Sequence, residues 1–106
     1  MKKETKEKIE QLQNLEQNIN NLIAQKQQFQ SSSLEVENAL SQIDDTKQIF
    51  RIIGNIMVAS NKQLVNKELQ EKKELLDLRL KTMDKQEEKL RSQAEEIQKE
   101  VLKEMK

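Results

Sequence analysis

The stretch Lys47–Ser60, KQIFRIIGNIMVAS, has no helical period and lies between two long segments that do. Ile49 to Ile53 and Ile56 to Ser60 are dense in β-branched residues and flank Gly54-Asn55, the composition of two short strands around a two-residue turn with glycine at its first central position. Such a turn sets Ile53 opposite Ile56, Ile52 opposite Met57, Arg51 opposite Val58 and Phe50 opposite Ala59. Because side chains alternate along a strand, one face carries Phe50, Ile52, Met57 and Ala59, and the other carries Ile49, Ile53, Ile56 and Val58 around a single Arg51. Both faces are apolar. A lone two-stranded hairpin is marginal in water, and one with two apolar faces and two open edges aggregates unless it is covered. Folding onto its own helices covers one face only, so the expected cover is the hairpins of other subunits, joined in a shared sheet or barrel. The residues expected at that oligomer interface are Ile49, Phe50, Ile52, Ile53, Gly54, Asn55, Ile56, Met57 and Val58.

Outward from the hairpin the period becomes helical. In the first arm apolar residues recur at spacings of three and four: Leu12, Leu15, Ile19 and Leu22, then Phe29, Val36, Leu40 and Ile43, with Lys26 and Ser33 interrupting. In the second arm the seam runs through Leu69, Leu76, Leu80, Met83, Leu90, Ala94, Ile97 and Val101, with Lys73 and Glu87 as polar members. These are heptad seams, and polar residues within them lower stability while helping to fix register and partner. Each arm, at 1.5 Å per residue, spans roughly 60 Å. The predicted fold is mainly α, with two long helices in an antiparallel coiled coil joined by one central hairpin. The single domain 1–106 divides into helix one over 3–43, hairpin over 48–59 and helix two over 61–105. Ser60 with Gln63 three residues on reads as a capping box that starts helix two near Asn61. Glu68 with Lys72, Asp77 with Lys81, Glu87 with Arg91 and Glu95 with Lys99 read as exposed i,i+4 pairs. Helix one is the weaker, with Asn14, Asn18, Asn20, Asn21 and the run Ser31 to Ser33 all of low propensity. Since the seam resumes in phase at Val36, the serine run is read as a soft spot within one helix. Facing positions of the antiparallel pair are expected to total roughly 102 or 109, one heptad apart. The larger total is preferred because it brings Met1 and Lys106 together.

Composition removes most chemistry. The 106 residues include no His, Cys, Trp, Tyr or Pro and a single Gly, while 36% are charged. Without imidazole or thiol there is no usual zinc site, no histidine base and no thiolate nucleophile. Asp44-Asp45 and Glu87-Glu88 are adjacent carboxylates, but adjacency points them apart. No enzymatic activity, cofactor or metal is expected, and a disulfide framework is impossible. Nineteen basic residues balance nineteen acidic ones, so neither the basic stripe nor the stacking aromatics of a nucleic-acid partner are present. Nothing near the amino terminus has the apolar run of a signal peptide or membrane span. A soluble, cytoplasmic protein with no membrane partner is the expectation.

The hairpin block, the stretch Asn21 to Gln30 (NLIAQKQQFQ) and above all Glu68 to Leu90 (ELQEKKELLDLRLKTMDKQEEKL) closely resemble the β-type subunit of prefoldin, especially its archaeal form. The resemblance covers nearly the whole chain, and one hairpin rather than two is similar to the β-type and unlike the α-type. It implies a heterohexamer of two α-type and four β-type subunits, whose hairpins form a double barrel from which six coiled coils hang. It further implies ATP-independent capture of unfolded proteins at the coiled-coil tips and delivery to a group II chaperonin. The lone Gly54 cannot build a phosphate loop, which agrees. The chain departs from the family at its start, where related subunits often carry a Pro-containing, Gln-rich, more apolar segment and Met1 to Lys8 (MKKETKEK) is almost wholly charged. On the opposite strand Ile97, Val101, Leu102 and Met105 make an apolar cluster too wide for a two-helix seam, and Met adapts to varied surfaces. With Ile9 and Leu12 these are the residues expected to touch clients. The competing expectation is a structural coiled-coil adaptor or tether, oligomerised through the hairpin and recognising one folded partner.

Overall fold

The computed structural model describes residues 2–43 and 48–105. Helix α1 spans Lys3–Ile43, strands β1 and β2 span Ile49–Ile53 and Ile56–Ser60, and helix α2 spans Lys62–Glu104. The Asp44-Asp45 pair, Lys47 at the head of the hairpin block and the expected meeting of Met1 with Lys106 lie outside the described residues. Among the described residues no helix is long and apolar enough to cross a membrane.

The chain forms two compact units, one of Phe29–Arg79 and one of Met1–Gln28 with Leu80–Lys106. In the first, Val36 and Ile43 of α1 and Leu76 of α2 are buried, the positions that the heptad pattern assigns to the seam. The Arg79 guanidinium lies over the Phe29 ring, 5.7 Å from its centroid, a cation–π contact with the ring face. Helix α1 runs unbroken through its serines. Ser33 falls on the seam, and its hydroxyl donates to Asp77 Oδ1 at 3.0 Å, so the soft spot is tied across to α2. Lys73 and Glu37 approach to 4.0 Å.

In the second unit Ile19, Leu22 and Val101 are buried, and the two polar seam residues meet. Lys26 Nζ lies 2.5 Å from Asp84 Oδ1 and 3.3 Å from Glu87 Oε1. The hydrogen bond to Asp84, supported by that to Glu87, holds the Lys26 ammonium above its ordinary 10.5 despite partial desolvation. Partner numbers total 109 for Thr5 with Glu104 and 110 for Ser33 with Asp77. Within each unit, therefore, the helices pair antiparallel in the register of the larger expected total.

Two local expectations change. Helix α2 is capped by Asn61 and not by Ser60: Asn61 Oδ1 accepts from the Gln63 amide at 2.8 Å, and Ser60 is the last residue of β2. An asparagine directly before the first helical residue satisfies a free amide as well as a serine does, and Ser60 is held in the ladder opposite Ile49. Of the four expected i,i+4 pairs, Glu87 with Arg91 and Glu95 with Lys99 form, at 3.3 and 3.9 Å. Glu68 instead pairs with Arg51 of the hairpin, and Asp77 accepts from Ser33.

The strands pair antiparallel with Ile53 opposite Ile56, Ile52 opposite Met57, Arg51 opposite Val58, Phe50 opposite Ala59 and Ile49 opposite Ser60. Gly54 has φ of +60°, and no other described residue has positive φ, the signature of a type II′ turn with glycine first. A Cβ on Gly54 would meet nothing within 4 Å in the chain itself, so within the chain a substitution there costs the backbone strain of positive φ, on the order of 1–3 kcal/mol. Thermal melts of the assembled protein should rank wild type above Gly54→Asn and Gly54→Asn above Gly54→Val, because Asn tolerates positive φ and a β-branched residue does not. Equal melting of the two variants would place the strain elsewhere.

Candidate functional site

Two surfaces stand out. The first is the hairpin, where Phe50, Ile52, Ile53, Gly54, Asn55, Ile56, Met57 and Val58 are all exposed and only Ile49 and Ser60, at its open end, are half-buried. Ile52 on one face is 71% exposed and Ile56 on the other 68%. The one charge in the strands does not relieve this, because Arg51 Nη2 is held 2.6 Å from Glu68 Oε2 on α2. That ion pair identifies the face of Arg51, Ile53, Ile56 and Val58 as the one turned to the chain's own helix. Among the described residues the face of Phe50, Ile52, Met57 and Ala59 has no such ion pair. Contiguous apolar surface of this kind marks an interaction site.

The second surface lies where the two ends of the described chain meet. Of the residues expected there, Ile9, Leu12 and Ile97 are half-buried, and Val101 is buried within the seam. Leu102 and Met105 stand out, 55% and 61% exposed. The seam does not end at Val101. Thr5 is buried, and its hydroxyl donates to Glu104 Oε2 at 2.6 Å, while the Lys8 ammonium donates to Glu104 Oε1 and lies 3.5 Å from Glu100. Sequence reading stopped at Leu12 and Val101 because it followed apolar residues alone. Continuing the heptad phase reaches Lys8 and Thr5 in one direction and Glu104 in the other, a polar clasp at the end of an apolar seam. The Lys8 hydrogen bond, then the Thr5 hydroxyl, holds the Glu104 carboxyl below its ordinary 4.5. In return Glu104 raises the Lys8 ammonium above 10.5.

Comparison with known proteins identifies the family. The sequence model of the family described as prefoldin subunit matches residues 6–106. The chain belongs to the prefoldin subunit family. Prefoldin subunit beta of Archaeoglobus fulgidus is 40% identical over 93 residues, 85% of this chain and 80% of that protein. Prefoldin subunit beta of Sulfurisphaera tokodaii is likewise 40% identical over 93 residues, covering 85% and 74%. The crystal structure of the prefoldin beta subunit from Thermococcus strain KS-1 superposes with a TM-score of 0.89 at 26% identity, over 94% of this chain and 90% of that one. Prefoldin is a family of chaperone subunits and not of enzymes, and its members assemble with other prefoldin subunits.

The clasp has a pH window. A carboxyl whose folded pKa is depressed contributes stability above its unfolded value and loses it as pH falls through the folded one, and the raised ammonium contributes below 10.5 and loses it as pH rises beyond. Protection of the amides in Thr5 to Leu12 and Ile97 to Met105, taken relative to their intrinsic exchange at each pH, should therefore be greatest between these limits and fall on acidification below 4.5. Glu104→Gln should show lower protection already at neutral pH, with little further loss in acid. An acid response undiminished in that variant would assign it to other carboxyls.

Proposed function

We propose that the chain is one subunit of an ATP-independent holdase that captures unfolded proteins at the ends of its paired helices and passes them to a group II chaperonin. The observation that carries the reading is the hairpin with both apolar faces open. It suits a part whose fold is completed by neighbours, in a shared barrel of two α-type subunits with four of this kind. In that arrangement Ile49, Phe50, Ile52, Ile53, Gly54, Asn55, Ile56, Met57 and Val58 make the subunit contacts. Clients meet Leu102 and Met105 first, and Ile9, Leu12, Ile97 and Val101 as the clasp opens. Several weak patches carried by one assembly raise affinity without any single tight site. Charge around each patch keeps the free ends apart. The assembly works in the cytoplasm.

Two experiments separate assembly from capture. Ile52→Lys with Val58→Lys places a charge on each hairpin face; with an α-type subunit the product should be reduced to smaller species by light scattering, with helicity largely kept. Persistence of an intact hexamer would sink the shared-barrel reading. Leu102→Asp with Met105→Asp removes the exposed apolar pair and leaves the buried seam and clasp in place. That assembly should keep its size and lose most suppression of client aggregation, with no response to ATP. Undiminished protection would move the capture surface off these residues. A wild-type assembly that protects no unfolded protein would favour the tether.

A further inference from the structure

We propose that a carboxamide-lined groove in the unit formed by the two ends of the chain binds the main chain of an extended, unfolded polypeptide. The inference deepens the holdase reading and rests on it, because it names a second client contact and the part of the client that is read. Two adjoining hollows of about 410 and 390 Å³ share Asn18 and Gln93. Their walls carry Gln11, Asn14, Asn18, Asn21 and Gln25 from α1 and Gln86 and Gln93 from α2. Leu15, Leu22, Leu90 and Ile97 form the apolar floor. The flanking charges, Lys89 and Glu96, are of opposite sign.

Helix propensity does not explain these walls. Eleven of the twenty residues from Gln11 to Gln30 are Asn or Gln and only Glu16 and Lys26 are charged. Asparagine is a poor helix former that is favoured at caps and turns, yet Asn14, Asn18 and Asn21 sit deep inside α1. None of the seven wall carboxamides has a side-chain hydrogen bond within the described residues. Solubility alone is met by the Lys and Glu that cover α2.

The chemistry specifies the occupant. A carboxamide presents donor and acceptor together, as a peptide group does, so a row of them pairs with backbone N–H and C=O whatever the side chains of the bound segment. Unfolded chains differ from folded ones in having such groups unpaired. A wall without net charge does not sort clients by charge, and the apolar floor accepts their hydrophobic side chains. The spacing also fits: Asn14 to Asn18 advances about 6 Å along the helix, close to the roughly 6.7 Å between same-side residues of an extended strand.

The test uses the full chain assembled with an α-type prefoldin subunit and a fluorescein-labelled, uncharged peptide of alternating leucine and serine. A second peptide of the same sequence is N-methylated at alternate residues, which removes main-chain donors. Asn14→Ala, Asn18→Ala and Asn21→Ala together raise helix propensity, so the variant folds. It should bind the unmethylated peptide about tenfold more weakly, the loss of one or two hydrogen bonds, and should not distinguish the two peptides. Wild type should prefer the unmethylated one, and the preference should persist in Leu102→Asp with Met105→Asp. Equal binding of both peptides by wild type, or unchanged affinity in the triple variant, overturns the groove and leaves the holdase reading standing. Failure of the wild-type assembly both to bind the peptides and to suppress aggregation overturns both readings, and failure to bind the peptides alone overturns the groove.

Discussion

Ile19, Leu22, Val36, Ile43, Leu76 and Val101 are the buried apolar side chains of the described residues, and no large side chain is wholly buried. Interhelical contact along this seam is what makes two long helices, one of them rich in Asn and Ser, persist as structure. With so little core, polar seam members carry unusual weight. Lys26 between Asp84 and Glu87, Ser33 on Asp77 and Thr5 on Glu104 satisfy one another across the seam. A shift of one heptad would part all three sets at once, so the polar contacts choose among registers that the leucines alone would tolerate.

The hairpin extends the same logic. A thin seam leaves much of the chain's apolar surface unspent, and the strands hold a concentrated share of it in the open. Arg51 with Glu68 directs one face toward α2 without covering it. The chain is thus a subunit by construction, in keeping with a family whose members assemble together.

Legibility from sequence followed the physics of each signal. Period-2 and period-3.5 patterns, with one Gly to mark the turn, were enough to place two helices, two strands and the pairing from Phe50–Ala59 to Ile53–Ile56. Those are repeating signals, and repetition averages out local accidents. The cap was misread because Ser60 and Asn61 are both good caps, and the ladder partner of Ser60 decides between them. Glu68 was assigned to Lys72 because an i,i+4 neighbour is visible in sequence and Arg51 is not. At the helix ends apolar spacing groups Val101 with Leu102, yet Val101 is buried and Leu102 exposed, and the seam runs on through Thr5, Lys8 and Glu104, polar residues that an apolar search passes over.

Antiparallel register also sets the order in which the chain comes together during synthesis. Ser33 meets Asp77 across 44 residues, whereas Thr5 meets Glu104 across 99. The longer ring costs about 0.7 kcal/mol more in closure entropy if each forms alone, and much less once the shorter one is made. During synthesis Thr5 emerges 99 residues ahead of Glu104, so the start of α1 waits for its partner while that length of chain is made. What that segment presents while it waits is a run rich in carboxamides and low in charge over Gln11–Gln30.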